Sequence, residues 1–391
     1  MYKICVVTAT RAEYGLLRPL LFRFKNNDLV DLQLIVMGTH LVKQFGNTQN
    51  EIISDGFTNY LTVEIPLDDD SKKGMAIATG STTLEFAALF EKITPDMVVI
   101  LGDRYEMLGV ATAAHLSGIP IAHLCGGDVT VGAVDDAIRH CITKLSVLHF
   151  PGCEQSAKRI IQMGENPSRV FNVGEPGVEN CLNTELLSRS ELFDRIGIKN
   201  LNKDYCVVTF HPVTTEEDSS ERQVGELIKA MDFFPDLAYI ITKANADAGG
   251  RIINEIWEKE AKSRENWIVV SSLGVQRYLS AVKYAQLVIG TSSSGLVEVP
   301  FFKVPTINIG DRQKGRMMAI SVLNCNPKAE DIICAMKNGF NESFRESIIN
   351  MDLPFGDGTT SVRVEKIIMD FLKTADGNIQ KDFYDIAFSV R

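Results

Sequence analysis

The chain has 391 residues, 45% hydrophobic and 23% charged, a well-ordered globular composition too long for one compact core. Its formal charge of −10 argues against nucleic acid or an anionic membrane as bulk partners, although a few arginines and a helix N-terminus can still hold a phosphate locally. The eight cysteines contain no C-x-x-C pair, the N-terminal apolar run is too short for a secretion signal, and no segment reaches the roughly 18–20 apolar residues of a membrane span. A cytoplasmic protein without disulfides or structural zinc is the expectation.

KICVVTAT predicts the first strand, with Cys5 as a small apolar core residue. The helix after it carries Leu16, Leu17, Leu20, Leu21 and Phe24 on one face. Next come the strand DLQLIVMGT, a helical stretch GMAIATGSTTLEFAALFEKI, the strand DMVVILGD, a helix centred on ATAAHL and the strand PIAHLCGGD. The helix DDAIRHCITKLS should bury Ile138, Cys141, Ile142 and Leu145, and it offers Asp135–Arg139 and Asp136–His140 as i,i+4 pairs. VLHFPG and RVFNVGEPG read as two further strands. Polarity then rises across LNTELLSRSELFDRIGIKNLNKDY, a hinge. The alternation restarts with YCVVTFHPV, where Cys206 is interior, and continues through DLAYIITKAN, WIVVSSLG, AQLVIGTSSSG and PTINIGD.

Strands alternating with helices predict an α/β protein of two Rossmann-like domains facing across a cleft. The expected boundaries are 1–182 and 183–365. The terminal helix in TTSVRVEKIIMDFLKTA could pack on either domain by pattern alone, and residues 366–391 are assigned to the first. Ligands of open parallel sheets collect beyond the carboxyl ends of the strands. The polar residues expected there are Thr10–Arg11, His40, Asp103–Arg104, Asp128, His211, Asn245, Ser292–Ser294 and Asp311–Arg312.

GTSSSG, Gly290 to Gly295, lets backbone N–H groups approach an anion, with Glu298 one turn on to accept from sugar hydroxyls. An ordinary serine N-cap is the plainer alternative. Arg11, Arg104, Arg312 and Arg316 each read singly as surface charge, and together as holders of a diphosphate. His211 could protonate a leaving phosphate or merely cap its loop. The block HLCGGDVTVGAVDDAIRH admits three readings. As a metal site it is poor, because cysteine with histidine and carboxylates is not the usual tetrahedral set. A helix start accounts for Asp135 and Asp136 but not for Asp128 in a glycine-rich turn. Acid/base chemistry by Asp103, Asp128 and Asp135 is preferred, since crowded carboxylates acquire unequal proton affinities.

TRAEYG, GTHL-x-x-x-x-GNT, LGDRYE, GGD-x-T-x-GA-x-DDAIRH-x-ITK, FHPVTT, GTSSSG-x-x-EVP and INIGDRQKGR occur in that order. As a set they resemble the hydrolysing UDP-N-acetylglucosamine 2-epimerases of sialic-acid-type pathways, and the resemblance implies a glycosyltransferase-B-like fold. It further implies that a UDP-linked 2-acetamido sugar and water give UDP and free N-acetylmannosamine or a relative, through a glycal. Partners would be the UDP-sugar and UDP, with no nucleic acid, membrane, cofactor or metal, in a homodimer or homotetramer. By matched motif, Asp103, Asp128 and Asp135 are acid/base carboxylates and His211 sits on the diphosphate. Arg11, Ser292, Ser293 and Arg312 would bind phosphate, Glu298 the ribose, and Ser294, Gly295, Asn245, Arg139, His40 and Arg104 further substrate or site geometry. Cys125 departs from the pattern, because sialic-acid members often carry glutamate there, within H-x-E-G-G-E. The same chemistry on a UDP-2,4-diacetamido-2,4,6-trideoxyhexose is therefore an alternative. A non-hydrolysing epimerase, a glycosyltransferase and a non-catalytic nucleotide-sugar sensor are the others.

Overall fold

A computed structural model of the chain describes residues 1–42, 48–69, 71–130, 134–198, 203–211, 219–244, 250–271, 273–374 and 380–387. Among the described residues, twelve strands form two parallel sheets. The first contains β1 (Tyr2–Thr8), β2 (Val30–Met37), β3 (Leu61–Val63), β4 (Met97–Leu101), β5 (Ile121–Leu124) and β6 (Leu148–Phe150), in the order β3-β2-β1-β4-β5-β6. The second contains β7 (Tyr205–Thr209), β8 (Ala238–Thr242), β9 (Trp267–Val270), β10 (Val288–Gly290), β11 (Thr306–Ile309) and β12 (Val322–Cys325), in the order β12-β11-β10-β7-β8-β9. Counted from its own first strand, each sheet has the order 3-2-1-4-5-6, that of the doubly wound nucleotide-binding fold. The central strands are buried along their whole length and almost wholly apolar, as β4 (MVVIL) and β7 (YCVVT) illustrate, because helices cover both faces and leave no side for polar alternation.

The chain divides into two compact units, one built from Met1–Val129, Val134–Glu179 and Phe355–Arg391, the other from Asn180–Pro354. In the first unit, apolar residues of β1, β4 and β5 pack with Leu17, Leu21 and Phe24 of the helix Arg11–Lys25. In the second, Trp257 and Trp267 meet edge to face among Cys206, Val208 and Ile241. The terminal helix Thr360–Thr374 belongs to the first unit, where Val364, Ile368 and Met369 join the core and Arg23 Nε donates to Ser361 Oγ at 2.8 Å. The chain re-enters that unit at Phe355, earlier than the expected residue 366, because Phe355 and Gly356 lie directly against Gly174.

Two local expectations differ. RVFNVGEPG is not a strand. Val170 bridges His149, and the Phe171 and Val173 N–H groups donate to His149 and Pro151, but Pro151 offers no N–H with which to continue the ladder. In the helix Val134–Leu145, Cys141 is exposed, whereas Ile138, Arg139, Ile142 and Thr143 are buried. The inward face is rotated toward Arg139, which has polar partners inside.

Candidate active site

In each sheet the strand order reverses at one point, between β1 and β4 in the first and between β7 and β10 in the second. Crevices open at the carboxyl ends of such strands. In the first unit, β1 runs into Thr10, which caps the next helix through a capping box with Glu13. Glu13 Oε2 accepts from the Ala9 and Thr10 N–H groups at 2.8 and 3.1 Å, while burial pushes its carboxyl up to about 7. Beyond β4, Gly102 turns with φ 79° and presents Asp103 and Arg104. Arg104 Nη2 pairs with buried Glu106 at 2.8 Å, and its Nε lies 4.0 Å from Glu13.

Arg139 is the centre of this edge. Only 3% of its side chain is exposed, and it ion-pairs with Asp103 Oδ2 and donates to the Asp128 carbonyl at 2.9 Å. Asp136 is its nearest acidic partner within the helix, at 3.6 Å, so the expected Asp135–Arg139 pair gives way to an i,i+3 contact. Asp136 also lies 3.7 Å from His140, the second expected pair. Ser156 Oγ donates to Asp128 Oδ1 and Arg159 to the Gly127 carbonyl, which fixes the glycine-rich turn. Asp135 stands in the first turn of the helix with its side chain open to solvent. Even so, the bulk of protein around its carboxyl and, second, the charge of Asp103 raise its pKa above the usual range. The structure thus brings Asp103, Asp128, Asp135, Arg104 and Arg139 to one edge.

Two histidines of this unit, His123 and His40, are held by hydrogen bonds inside it. His123 Nε2 donates to the Gly102 carbonyl at 2.8 Å and Nδ1 lies 3.2 Å from Thr143 Oγ1, while burial lowers its pKa to about 3. With both nitrogens engaged it is unsuited to holding a metal. His40 is buried with Nε2 3.0 Å from Thr8 Oγ1 and Nδ1 2.8 Å from Thr48 Oγ1, and burial lowers its pKa to about 4. It supports the end of β1 from behind. Arg11 is half-exposed at the start of its helix and pairs with Glu51 at 2.7 Å.

In the second unit, the ends of β7 and β10 are locked together. The Thr291 N–H donates to Thr209 O, the His211 N–H to Thr291 Oγ1 at 2.7 Å, and Thr291 Oγ1 to His211 O at 3.0 Å. A side chain at Gly290 (φ 140°) would meet Thr209 O at 1.9 Å, so glycine is required for this approach. GTSSSG follows. Ser294 receives the Tyr278 hydroxyl at 2.8 Å, its own N–H donates to Ser292 Oγ, and Ser292 and Gly295 close the turn into a helix running Ser294–Val297. Arg312 Nη1 donates to Thr291 O at 3.0 Å, joined there by buried Gln313 at 2.9 Å. Glu298 lies half-buried in the following turn, and burial raises its carboxyl above the usual range. His211, Ser292, Ser293, Ser294, Gly295, Glu298 and Arg312 therefore share one edge, and Asn245 lies outside the described residues.

The family profile for UDP-N-acetylglucosamine 2-epimerase matches residues 23–369. The chain belongs to that family. Among curated relatives of this epimerase, the GDP/UDP-N,N'-diacetylbacillosamine 2-epimerase (hydrolyzing) of Campylobacter jejuni is 40% identical, covering 98% of this chain and 99% of that one. The polysialic acid biosynthesis protein P7 of Escherichia coli is 38% identical over 99% and 98% of the two chains. Among solved structures, the UDP-GlcNAc 2-epimerase of Neisseria meningitidis bound to UDP-GlcNAc aligns with a TM-score of 0.80 over 94% of this chain and all of that one; at 15% identity the likeness is one of fold.

Sequence reading missed several groups at these edges of the epimerase. Glu13 and Glu106 hold Arg104, Ser156 holds Asp128, Tyr278 holds Ser294, and the Glu175 carboxylate accepts from the Cys125 thiol at 3.3 Å. Of these, Glu175 had a visible signal, a carboxylate between glycine and proline just after an apolar run and before a helix start.

Proposed function

We propose that this epimerase hydrolyses a UDP-linked 2-acetamido sugar with inversion at C2, by elimination to a glycal and then hydration. The observation that carries the reading is the grouping of Asp103, paired to buried Arg139, with Asp128 and Asp135 at a strand-order reversal. The C2 proton has no carbonyl beside it and is barely acidic until the C1–O bond to UDP begins to break. Carboxylates then steady the oxocarbenium ion and move protons at C2. Asp135, whose surroundings raise its pKa, suits delivery of a proton, and Asp103 suits stabilisation of positive charge. Pure binding of an anionic diphosphate would gain nothing from such negative charge, which weighs against a non-catalytic sensor. In the second unit, His211, Ser292, Ser293, Ser294, Gly295 and Arg312 are assigned to the diphosphate and Glu298 to the ribose. Arg11, Arg104 and Asn245 are assigned to further substrate contacts.

For the sugar, full-length similarity to a relative named for diacetylbacillosamine, together with Cys125, favours a UDP-2,4-diacetamido-2,4,6-trideoxyhexose. UDP-N-acetylglucosamine, giving N-acetylmannosamine, is the second reading, favoured by similarity to a protein named for polysialic acid biosynthesis. The test is to incubate the enzyme with each nucleotide sugar in heavy water, without an acceptor, and to identify products by mass spectrometry. Free 2-epimerised sugar with one deuterium at C2, plus UDP, is expected, and faster from the diacetamido substrate. A product still linked to UDP would mean a non-hydrolysing epimerase, and both substrates left intact would defeat the reading.

A further inference from the structure

Inversion at C2 needs one group to take a proton from one face of the sugar and another to return one to the opposite face. Two of the three aspartates at the first unit's edge already have committed carboxylate oxygens: Asp103 holds Arg139, and Asp128 holds Ser156. A fourth carboxylate, that of Glu175, reaches the same edge from a separate segment. Cys125 immediately follows β5, and its N–H donates to Phe150 O at the end of β6 at 3.0 Å. It adopts φ 60°, a left-handed conformation that side chains rarely take, and its thiol donates to Glu175 Oε2 at 3.3 Å. The other Glu175 oxygen lies over Gly152, where a Cβ would stand only 1.8 Å from it, so the chain beyond β6 leaves room for this carboxylate alone. Its backbone is fixed on both sides: the Glu175 N–H donates to Phe355 O at 2.8 Å, and the Glu175 carbonyl accepts from Val178 at the start of the next helix.

The thiol cannot itself serve as the base. Burial, and then the charge of Glu175, with Asp128 and Asp103 adding to it, push Cys125 well above the ordinary thiol value, so it keeps its proton and donates it. Its hydrogen bond favours the ionised form of Glu175 and so keeps that carboxylate ready to accept a proton.

We propose that Glu175 accepts the proton that leaves C2, with Cys125 as the positioning residue that aims it; this rests on the reading of the chain as a hydrolysing epimerase. In the step, the C2–H bond breaks and its proton bonds to the Glu175 carboxylate. The C2–H electron pair becomes the C1=C2 bond, and the C1–O pair leaves with UDP. Water's oxygen then bonds C1 while Asp135 gives a proton to the opposite face of C2, and the surplus water proton is released to solvent.

The test uses the full chain. Glu175→Gln should lower both turnover and solvent-deuterium entry at C2 by about 10²–10⁴-fold, with UDP affinity and the thermal midpoint close to wild type. Adding Cys125→Glu to Glu175→Gln returns a carboxylate to within one side-chain length of the lost one and should restore at least tenfold of that loss. Turnover within threefold of wild type in Glu175→Gln, or no rescue in a folded, UDP-binding double variant, overturns the inference. Should Glu175→Gln fail to fold, Cys125→Ala decides. Loss of the donor raises the proton affinity of Glu175, so the acidic limb of the kcat profile moves to higher pH, and an unmoved limb overturns the inference. If wild type itself releases no free epimerised sugar, the proposed function fails instead, and the two failures are told apart by that control.

Discussion

At the scale of single residues, Arg139 decides how the first unit's edge works. A buried guanidinium costs several kcal/mol of lost hydration unless its donors are met. Asp103 and the Asp128 carbonyl meet them from 36 and 11 positions away in sequence. Helical spacing sees only neighbours three or four residues off, which is why it pairs Arg139 with Asp135 and sends Cys141 inward. The consequence can be measured. Asp103→Asn should lower turnover by about 10²–10⁴-fold while UDP affinity, by calorimetry, changes little. The same substitution removes the second cause of the raised Asp135 pKa, so the Asp135 carbon-13 titration midpoint should fall toward the ordinary aspartate value. Unchanged turnover would take Asp103 out of the chemistry, and an unmoved midpoint would mean that desolvation alone governs Asp135.

At the scale of elements, the loop after β10 depends on one glycine. With φ at 140° and Thr209 O only 1.9 Å from where a Cβ would stand, Gly290→Ala must part β10 from β7. The cost should be at least about 2 kcal/mol in chemical denaturation, accompanied by weaker UDP binding as GTSSSG shifts. Stability equal to wild type would show that the strand ends are not held as tightly as their hydrogen bonds indicate. Ten of the twelve strands coincide with apolar runs legible in the sequence, because burial on both faces suppresses every other signal. β3, with Leu61 and Thr62 exposed, and β12, with Asn324 exposed, are edge strands of three and four residues, too short for an apolar run to stand out. RVFNVGEPG misleads in the opposite sense, since its apolar residues face the core while its backbone can pair only in part. Carboxylates at strand ends were legible by position. Glu13, Glu106 and Glu175 were not recognised: Arg104 facing Glu13 and Cys125 facing Glu175 come from distant segments, while Glu106, beside Arg104 in sequence, gives no sign of being buried.

At the scale of the whole molecule, the chain leaves the first unit after Glu179 and returns at Phe355, so the first sheet's unit is completed by a segment far along the chain from its strands. Val364, Ile368 and Met369 are at most 5% exposed. At roughly 1.5–3 kcal/mol for each buried side chain, truncation after Pro354 should remove about 5–9 kcal/mol, comparable with the whole stability of a domain. Such a chain should lose the first unit's hydrogen-exchange protection while β7 to β11 keep theirs; protection retained in β1 and β4 would defeat this. Beyond that helix, the closing segment is anchored electrostatically. Lys381 reaches Glu165 at 2.7 Å, Tyr384 N–H donates to Gly164 O at 2.9 Å, and Phe383 lies against Gly164, which has no side chain to obstruct it. Burial alone would raise the pKa of Glu165, but hydrogen bonds from His149, Lys144 and Lys381 outweigh it and bring it down to about 2. The unfolded value is near 4.5, so the stabilisation from this ionised carboxyl is complete above about pH 4.5 and is lost as pH falls toward 2. Exchange of residues 380–387 should therefore accelerate across that window before the strands of the first sheet open. Glu165→Gln should release the same segment at neutral pH, because the amide cannot replace the charge that Lys144 and Lys381 share. A segment equally protected in that variant would mean that the Phe383 contact, and not the ion pairs, holds it down.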